Sequence, residues 1–264
     1  MSAPSSTLVQ TRLGSVECAR SGTGPAVLLL HGAMGGYDQG LTLGCAAAGP
    51  DGFEFLAVSR PGYLATPLAL GRTPEQQADL CAAVLDALAI PQSAVIAVSG
   101  GGQCALQFAL RHPERCRALV MISACSAPLT VRVPLKFYLM MFLARFPALI
   151  SKMRKKVLEH PESDPLFREQ QLSVMDRMAE RLAGTRNDIR QSRAAFAYPL
   201  EQIRTPTLIV HGAADEAVPF AQAESLRARL PNAELLAIPD GRHVCLFTHR
   251  SLIQPRVRQF LENG

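Results

Sequence analysis

The stretch Val95-Ile96-Ala97-Val98-Ser99-Gly100-Gly101-Gly102-Gln103 joins a short β-branched apolar run to a helical pattern, Gln103 to Arg111. A serine held at the tip of so sharp a strand-to-helix turn is exposed and strained. Only very small residues two places before it and two places after it leave room for the turn. Ala97 and Gly101 stand at those places, so the string reads as a nucleophile elbow with alanine in place of the first glycine of G-x-S-x-G. A glycine-rich turn that merely starts a helix is the alternative, and the rest of the chain has to decide between them.

A serine hydroxyl is a weak nucleophile until a histidine takes its proton and a carboxylate orients that histidine. Of six histidines, His31 and His211 each end an apolar strand as His-Gly and read as structural. His112 precedes Pro113 at a helix end, His160 lies in the polar stretch His160-Pro161-Glu162-Ser163-Asp164, and His249 belongs with the last helix. His243, in Pro239-Asp240-Gly241-Arg242-His243-Val244, falls in a loop just after the expected strand Glu234 to Ile238 and is the candidate base. The chain order serine, acid, histidine agrees with that position. For the acid, Asp215 follows the strand Thr207 to Val210 and is favoured, with Glu216 and Asp240 as rivals. Aspartate after a strand can also serve only as a helix cap.

Attack on an ester carbonyl creates an oxyanion that preorganised N–H donors must meet. The amide of Gly100, immediately after the serine, is one candidate donor. The other comes from the small-residue loop His31-Gly32-Ala33-Met34-Gly35-Gly36, with Ala33 as first choice and Met34 as second.

Taken together, His31-Gly32, Ser59-Arg60-Pro61-Gly62-Tyr63, the Ala97 to Gly102 elbow, the run His211 to Pro219 and Gly241-Arg242-His243 resemble the α/β-hydrolase fold superfamily, in the family's order. The resemblance covers nearly the whole chain outside residues 128–199. It departs at Ala97, and at Ser59 and Leu64-Ala65-Thr66, where many members carry aspartate and Gly-x-Ser. It implies a mostly parallel central sheet with helices on both faces, and catalysis by Ser99, Asp215 and His243 without cofactor or metal. It also implies a core of residues 1–127 and 200–264, with 128–199 inserted as an all-helical lid. Members with an aspartate nucleophile, the epoxide hydrolases and dehalogenases, are disfavoured by Ser99. Ester hydrolysis of a small, largely apolar substrate ranks first. Carbon–carbon bond hydrolysis, cofactor-free perhydrolysis and a slow-turnover ligand receptor stand behind it.

The remaining chain agrees with a layered α/β design. Apolar runs recur at Ala26–Leu30, Phe53–Val58, Val95–Val98, Ala118–Ile122, Thr207–Val210 and Glu234–Ile238, with helical patterns between them at Thr73 to Ala89 and Phe220 to Leu230. Leu8–Gln10 and Val16–Ala19 flank Gly14 as an edge hairpin. Residues 128–199 break the alternation. Val133 to Ile150 is rich in Leu, Phe and Met, Ser151 to Lys156 is basic, and Leu166 to Leu182 has the spacing of one helix. Lys136 and Arg145 interrupt the apolar run, and Pro134 and Pro147 bracket it, which disfavours a membrane span; contact with a lipid interface is the weaker alternative.

The net charge of +5 is concentrated in the insertion, which holds 13 basic against 7 acidic residues, including all four lysines. No nucleic-acid recognition motif accompanies that charge. Gly100-x-Gly102-x-x-Ala105 matches a dinucleotide fingerprint, but the next strand ends Ile122-Ser123 without the acid that motif requires. Seven scattered cysteines, odd in number and without a C-x-x-C pair, suit buried free thiols in a reducing compartment. The N-terminus shows no signal peptide, so a cytoplasmic location is expected. The expected partner is a small ester or acyl molecule, with a second copy of the chain left open.

Overall fold

The computed structural model describes residues 5–129, 135–144, 146–159, 164–194 and 197–263. Val133, Pro134, Arg145 and His160, used in the sequence reading, lie outside them. The chain runs β1 (Thr7–Thr11), β2 (Gly14–Ser21), β3 (Ala26–Leu30), α1 (Tyr37–Ala48), β4 (Glu54–Val58), α2 (Pro74–Ala87), β5 (Ser93–Val98), α3 (Gly102–Arg111) and β6 (Cys116–Ile122). Four helices follow: α4 (Leu135–Leu143), α5 (Pro147–Glu159), α6 (Pro165–Asp176) and α7 (Leu182–Arg193). The chain then returns through β7 (Thr207–Gly212), α8 (Ala221–Arg229), β8 (Ala233–Ile238), α9 (Cys245–Thr248) and α10 (Arg250–Asn263).

The eight strands form one sheet in the order β1-β2-β4-β3-β5-β6-β7-β8. Pairing is antiparallel through β1, β2 and β4 and parallel from β4 to β8. The central strands are covered on both faces, which is why they read as continuous apolar runs. Their side chains still alternate. Leu28, Leu30, Val95, Ala97, Leu119 and Met121 pack with α2, α3 and α8, whereas Val27, Leu29, Ala94, Ile96, Ala118 and Val120 pack with α1, α9 and α10. Helix α2 starts where Pro74 suggests, capped by Thr73 and Gln76 in a reciprocal box. It ends two residues short of the expected Ala89, which takes a left-handed φ of 53°.

The helical segment between β6 and β7 differs from the expected single helix over Leu166 to Leu182. Helix α6 stops at Asp176, and a 3₁₀ turn over Met178–Arg181 leads into α7. The break turns Met178 and Arg181 inward, where both are buried. Among the described residues, no helix is long and apolar enough to cross a membrane. All seven cysteines are free and six are buried.

The junction of α7 with the loop after β4 is tight. The Gly184 N–H donates to the Gly62 carbonyl at 2.7 Å, and the Leu64 N–H donates to the Glu180 carbonyl at 3.0 Å. A Cβ on Gly184 would lie 2.2 Å from Tyr63 Cε2, inside any real contact distance. Tyr63 is fully buried and cannot retreat freely. Gly184→Ala is therefore expected to cost about 1–3 kcal/mol of stability by overpacking. Thermal unfolding checks this, because each kcal/mol corresponds to about 2–4 °C in a chain of this size.

Candidate active site

Ser99 follows β5 directly and has a φ of 51°, in the left-handed region that a non-glycine residue occupies only under constraint. The surroundings supply that constraint. A Cβ on Gly101 would lie 2.4 Å from the Leu30 carbonyl oxygen, so the turn passes against β3 with no space for a side chain. The Cys125 N–H donates to the Ser99 carbonyl at 2.9 Å. Ala97 is fully buried, and its methyl is accommodated in the core between neighbouring strands.

The structure brings Ser99, His243 and Asp215 together from three separate loops. His243 Nε2 lies 3.1 Å from Ser99 Oγ, and His243 Nδ1 lies 2.9 Å from Asp215 Oδ2 and 3.1 Å from Asp215 Oδ1. With Nδ1 protonated and donating to the carboxylate, Nε2 is left as the acceptor facing the serine hydroxyl. The Asp215 side chain is fully buried, and its Oδ1 also accepts the N–H groups of Ala217 at 2.8 Å and Val218 at 3.0 Å. Burial alone raises the Asp215 pKa. The hydrogen bonds from His211 and His243, the His243 charge and the Val218 N–H outweigh it and hold the carboxyl well below the usual carboxylate range.

The rival acids are elsewhere. Asp240 is 84% exposed and pairs with His249 Nε2 at 3.2 Å. Glu216 is exposed, 3.4 Å from Arg242. His249 sits between α9 and α10 rather than within the last helix. His211 Nε2 lies 2.9 Å from the Val218 carbonyl and 3.4 Å from Asp215, so it braces the loop that carries the acid. His31 accepts the Arg60 N–H on Nε2 at 3.0 Å, so its proton is on Nδ1, directed at the Gly32 carbonyl 2.7 Å away. Burial, reinforced by the Arg60 charge, lowers its pKa well below the ordinary histidine value and keeps the ring neutral.

The Ala33 nitrogen lies close to Gly100, the residue after Ser99, and Gly32 lies against Ser99 itself. A Cβ on Gly100 would lie 3.6 Å from the Ala33 nitrogen, and one on Gly32 would lie 3.0 Å from Ser99 Cβ. Among the described residues, neither the Gly100 nor the Ala33 N–H is donated to another protein group. The Met34 N–H, by contrast, donates to Thr185 Oγ1 at 3.0 Å and is not free to face Ser99.

Sequence reasoning gave no role to a buried polar cluster beside Gly100. Arg60 donates to Asp188 Oδ1 at 3.0 Å and Oδ2 at 2.5 Å, and to the His31 carbonyl at 2.8 Å. The Tyr63 hydroxyl donates to the same Asp188 Oδ2 at 2.6 Å. Burial by itself lowers the Arg60 pKa, but the Asp188 charge overrides it and keeps the guanidinium charged. Arg60 and Tyr63 lie in the family-like loop after β4, which is the only sequence signal for this cluster; Asp188 carries none.

The chain belongs to the alpha/beta hydrolase fold family, whose model matches residues 25–250. It is 31% identical over 225 residues to a poly(3-hydroxyalkanoate) depolymerase from Ectopseudomonas oleovorans, covering 82% of this chain and 77% of that protein. It is 30% identical over 250 residues to a pimeloyl-[acyl-carrier protein] methyl ester esterase from Aromatoleum aromaticum, covering 85% and 93%. Among solved structures, an alpha/beta hydrolase fold protein from Nakamurella multipartita superposes with a TM-score of 0.80 at 29% identity, covering 98% and 100% of the two chains.

Proposed function

We propose that the protein hydrolyses carboxylic esters through an acyl-enzyme on Ser99. The observation that carries this reading is the continuous contact from Ser99 Oγ through His243 to Asp215. In the proposed reaction, His243 Nε2 takes the hydroxyl proton as Ser99 Oγ attacks the acyl carbon. The oxyanion is held by the N–H groups of Gly100 and Ala33. The alcohol leaves with the proton that His243 returns. A water molecule, deprotonated by the same nitrogen, then releases the acid and regenerates the serine.

The acyl side is assigned to the helical insertion, acting as a lid. Tyr138, Met141 and Phe142 of α4 and Arg186 and Ile189 of α7 line a groove of about 240 Å³. Met141 and Ile189 also pack in one apolar cluster with Met34, the residue after Ala33. The groove and the loop that carries Ala33 thus share one apolar cluster, which suits an aliphatic acyl chain. Of the relatives named above, one is by its name a methyl ester esterase and another a poly(3-hydroxyalkanoate) depolymerase.

The test combines fluorophosphonate labelling, peptide mapping and a p-nitrophenyl ester series. A label on the Ser99 peptide and kcat/KM rising from acetate to hexanoate are expected. A label on any other residue overturns the nucleophile, and a fall along the series overturns the groove as acyl site. Stoichiometric acylation without sustained turnover instead identifies a ligand receptor.

A further inference from the structure

The loop from β3 to α1 brings the Ala33 nitrogen close to Gly100, the residue after Ser99, and the next residue, Met34, has a φ of 59°. A long side chain in the left-handed region persists only where its surroundings over-determine it. Here both polar groups of the Met34 backbone are held. Its N–H donates to Thr185 Oγ1 on α7 at 3.0 Å, and its carbonyl accepts from Gln39 Nε2 at 2.9 Å. Gln39 Oε1 in turn accepts from Gln170 Nε2 on α6 at 2.8 Å. The Thr185 hydroxyl donates to the Arg181 carbonyl at 2.8 Å, which turns a lone pair toward Met34. Both Thr185 and the Met34 side chain are buried.

Thr185 does not act from a loose surface. Arg181, Thr185 and Asp188 are spaced four and three residues apart, on one helical face. Arg181 is fully buried and forks onto Asp38 at 3.1 and 2.6 Å, while Asp188 forks onto Arg60. Two largely buried ion pairs, one at the turn leading into α7 and one within it, therefore hold the segment on either side of the Thr185 hydroxyl.

We infer that Thr185, with the Gln170–Gln39 relay, is a positioning residue that sets the oxyanion loop. The insertion would thus complete the charge-stabilising site as well as enclose it. Releasing the Met34 amide lets the residue relax toward negative φ, which redirects the chain at Ala33 and moves its N–H away from the oxyanion. The inference rests on the ester-hydrolase reading above.

The experiment compares Thr185→Val, which keeps the shape, with Thr185→Ser, which keeps the hydroxyl. Steady-state kinetics on a p-nitrophenyl ester, the inhibition constant of an alkyl boronic acid and thermal unfolding are measured for each. For Thr185→Val, kcat is expected to fall about 10- to 100-fold, somewhat less than for outright loss of an oxyanion donor, with KM changed less than about twofold. Boronate inhibition, which mimics the tetrahedral adduct, weakens in parallel, and Thr185→Ser restores most of kcat. An unchanged kcat in folded Thr185→Val, or a loss confined to KM, overturns the inference. Should Thr185→Val fail to fold, the milder Gln170→Met decides: a fall in kcat alone supports the relay, and an unchanged kcat overturns it. Wild-type protein that neither turns over esters nor takes up the fluorophosphonate overturns the underlying reading, and a kcat effect cannot then arise.

Discussion

Ser99→Ala is expected to lower ester turnover by about five to six orders of magnitude, the scale seen when a serine nucleophile is removed from a preorganised site. On the proposed mechanism the residual rate would come from the Gly100 and Ala33 amides and from substrate binding, which the substitution leaves in place. Folding changes little, because alanine inherits the same left-handed φ of 51° and forfeits one hydrogen bond, to the partly exposed His243. A Ser99→Gly variant separates strain from chemistry. It loses the same activity but gains stability of roughly 1 kcal/mol or more, because glycine occupies this region without cost. Retention of most esterase activity by purified Ser99→Ala would remove the serine from the mechanism altogether. The measurement is kcat/KM on a p-nitrophenyl ester, with thermal unfolding as the control for integrity.

The elbow was legible because its signal is steric: space for the turn forces small residues at 97 and 101, and steric limits leave a mark in sequence. The strand positions were legible for a similar reason, since burial on both faces leaves uninterrupted apolar runs. The direction in which a loop side chain points leaves no such mark. Asp240 stands three residues before His243, yet its carboxylate faces His249 at the surface, while Asp215, far away in sequence, meets the imidazole. Helix α7 was illegible as a gripping element because it grips with polar groups. Arg181, Thr185 and Asp188 look like a solvated face, and only their partners Asp38, Met34 and Arg60 reveal that they face inward. Those partners lie more than a hundred residues away, and no local pattern announces them. The break between α6 and α7 was hidden similarly, because apolar spacing continues through Met178 and Leu182 although the backbone changes course.

Asp215→Asn is expected to reduce kcat by about four orders of magnitude while Asp240→Asn stays near wild type. Asparagine fits the space, but its amide group donates where the carboxylate only accepts. It favours the imidazole tautomer with its proton on Nε2, and that nitrogen then cannot take the Ser99 proton. Two readouts discriminate this role from simple bracing of the loop. The first is the contrast between the two variants in kcat; collapse in Asp240→Asn with near-normal Asp215→Asn would exchange the roles. The second is the pH dependence of stability. The Asp215 carboxyl has a folded-state pKa held below its unfolded value of about 3.9. Its ionised form therefore stabilises the fold above that pH, and the contribution fades as pH falls toward the folded value. The melting temperature of Asp215→Asn should consequently trail wild type at pH 7, and the gap should narrow at pH 3. A gap that stays constant or widens on acidification would mean that the buried carboxylate is not stabilised by its two histidines and the Val218 amide. The short contacts to His243 would then lack the energetic role assigned to them.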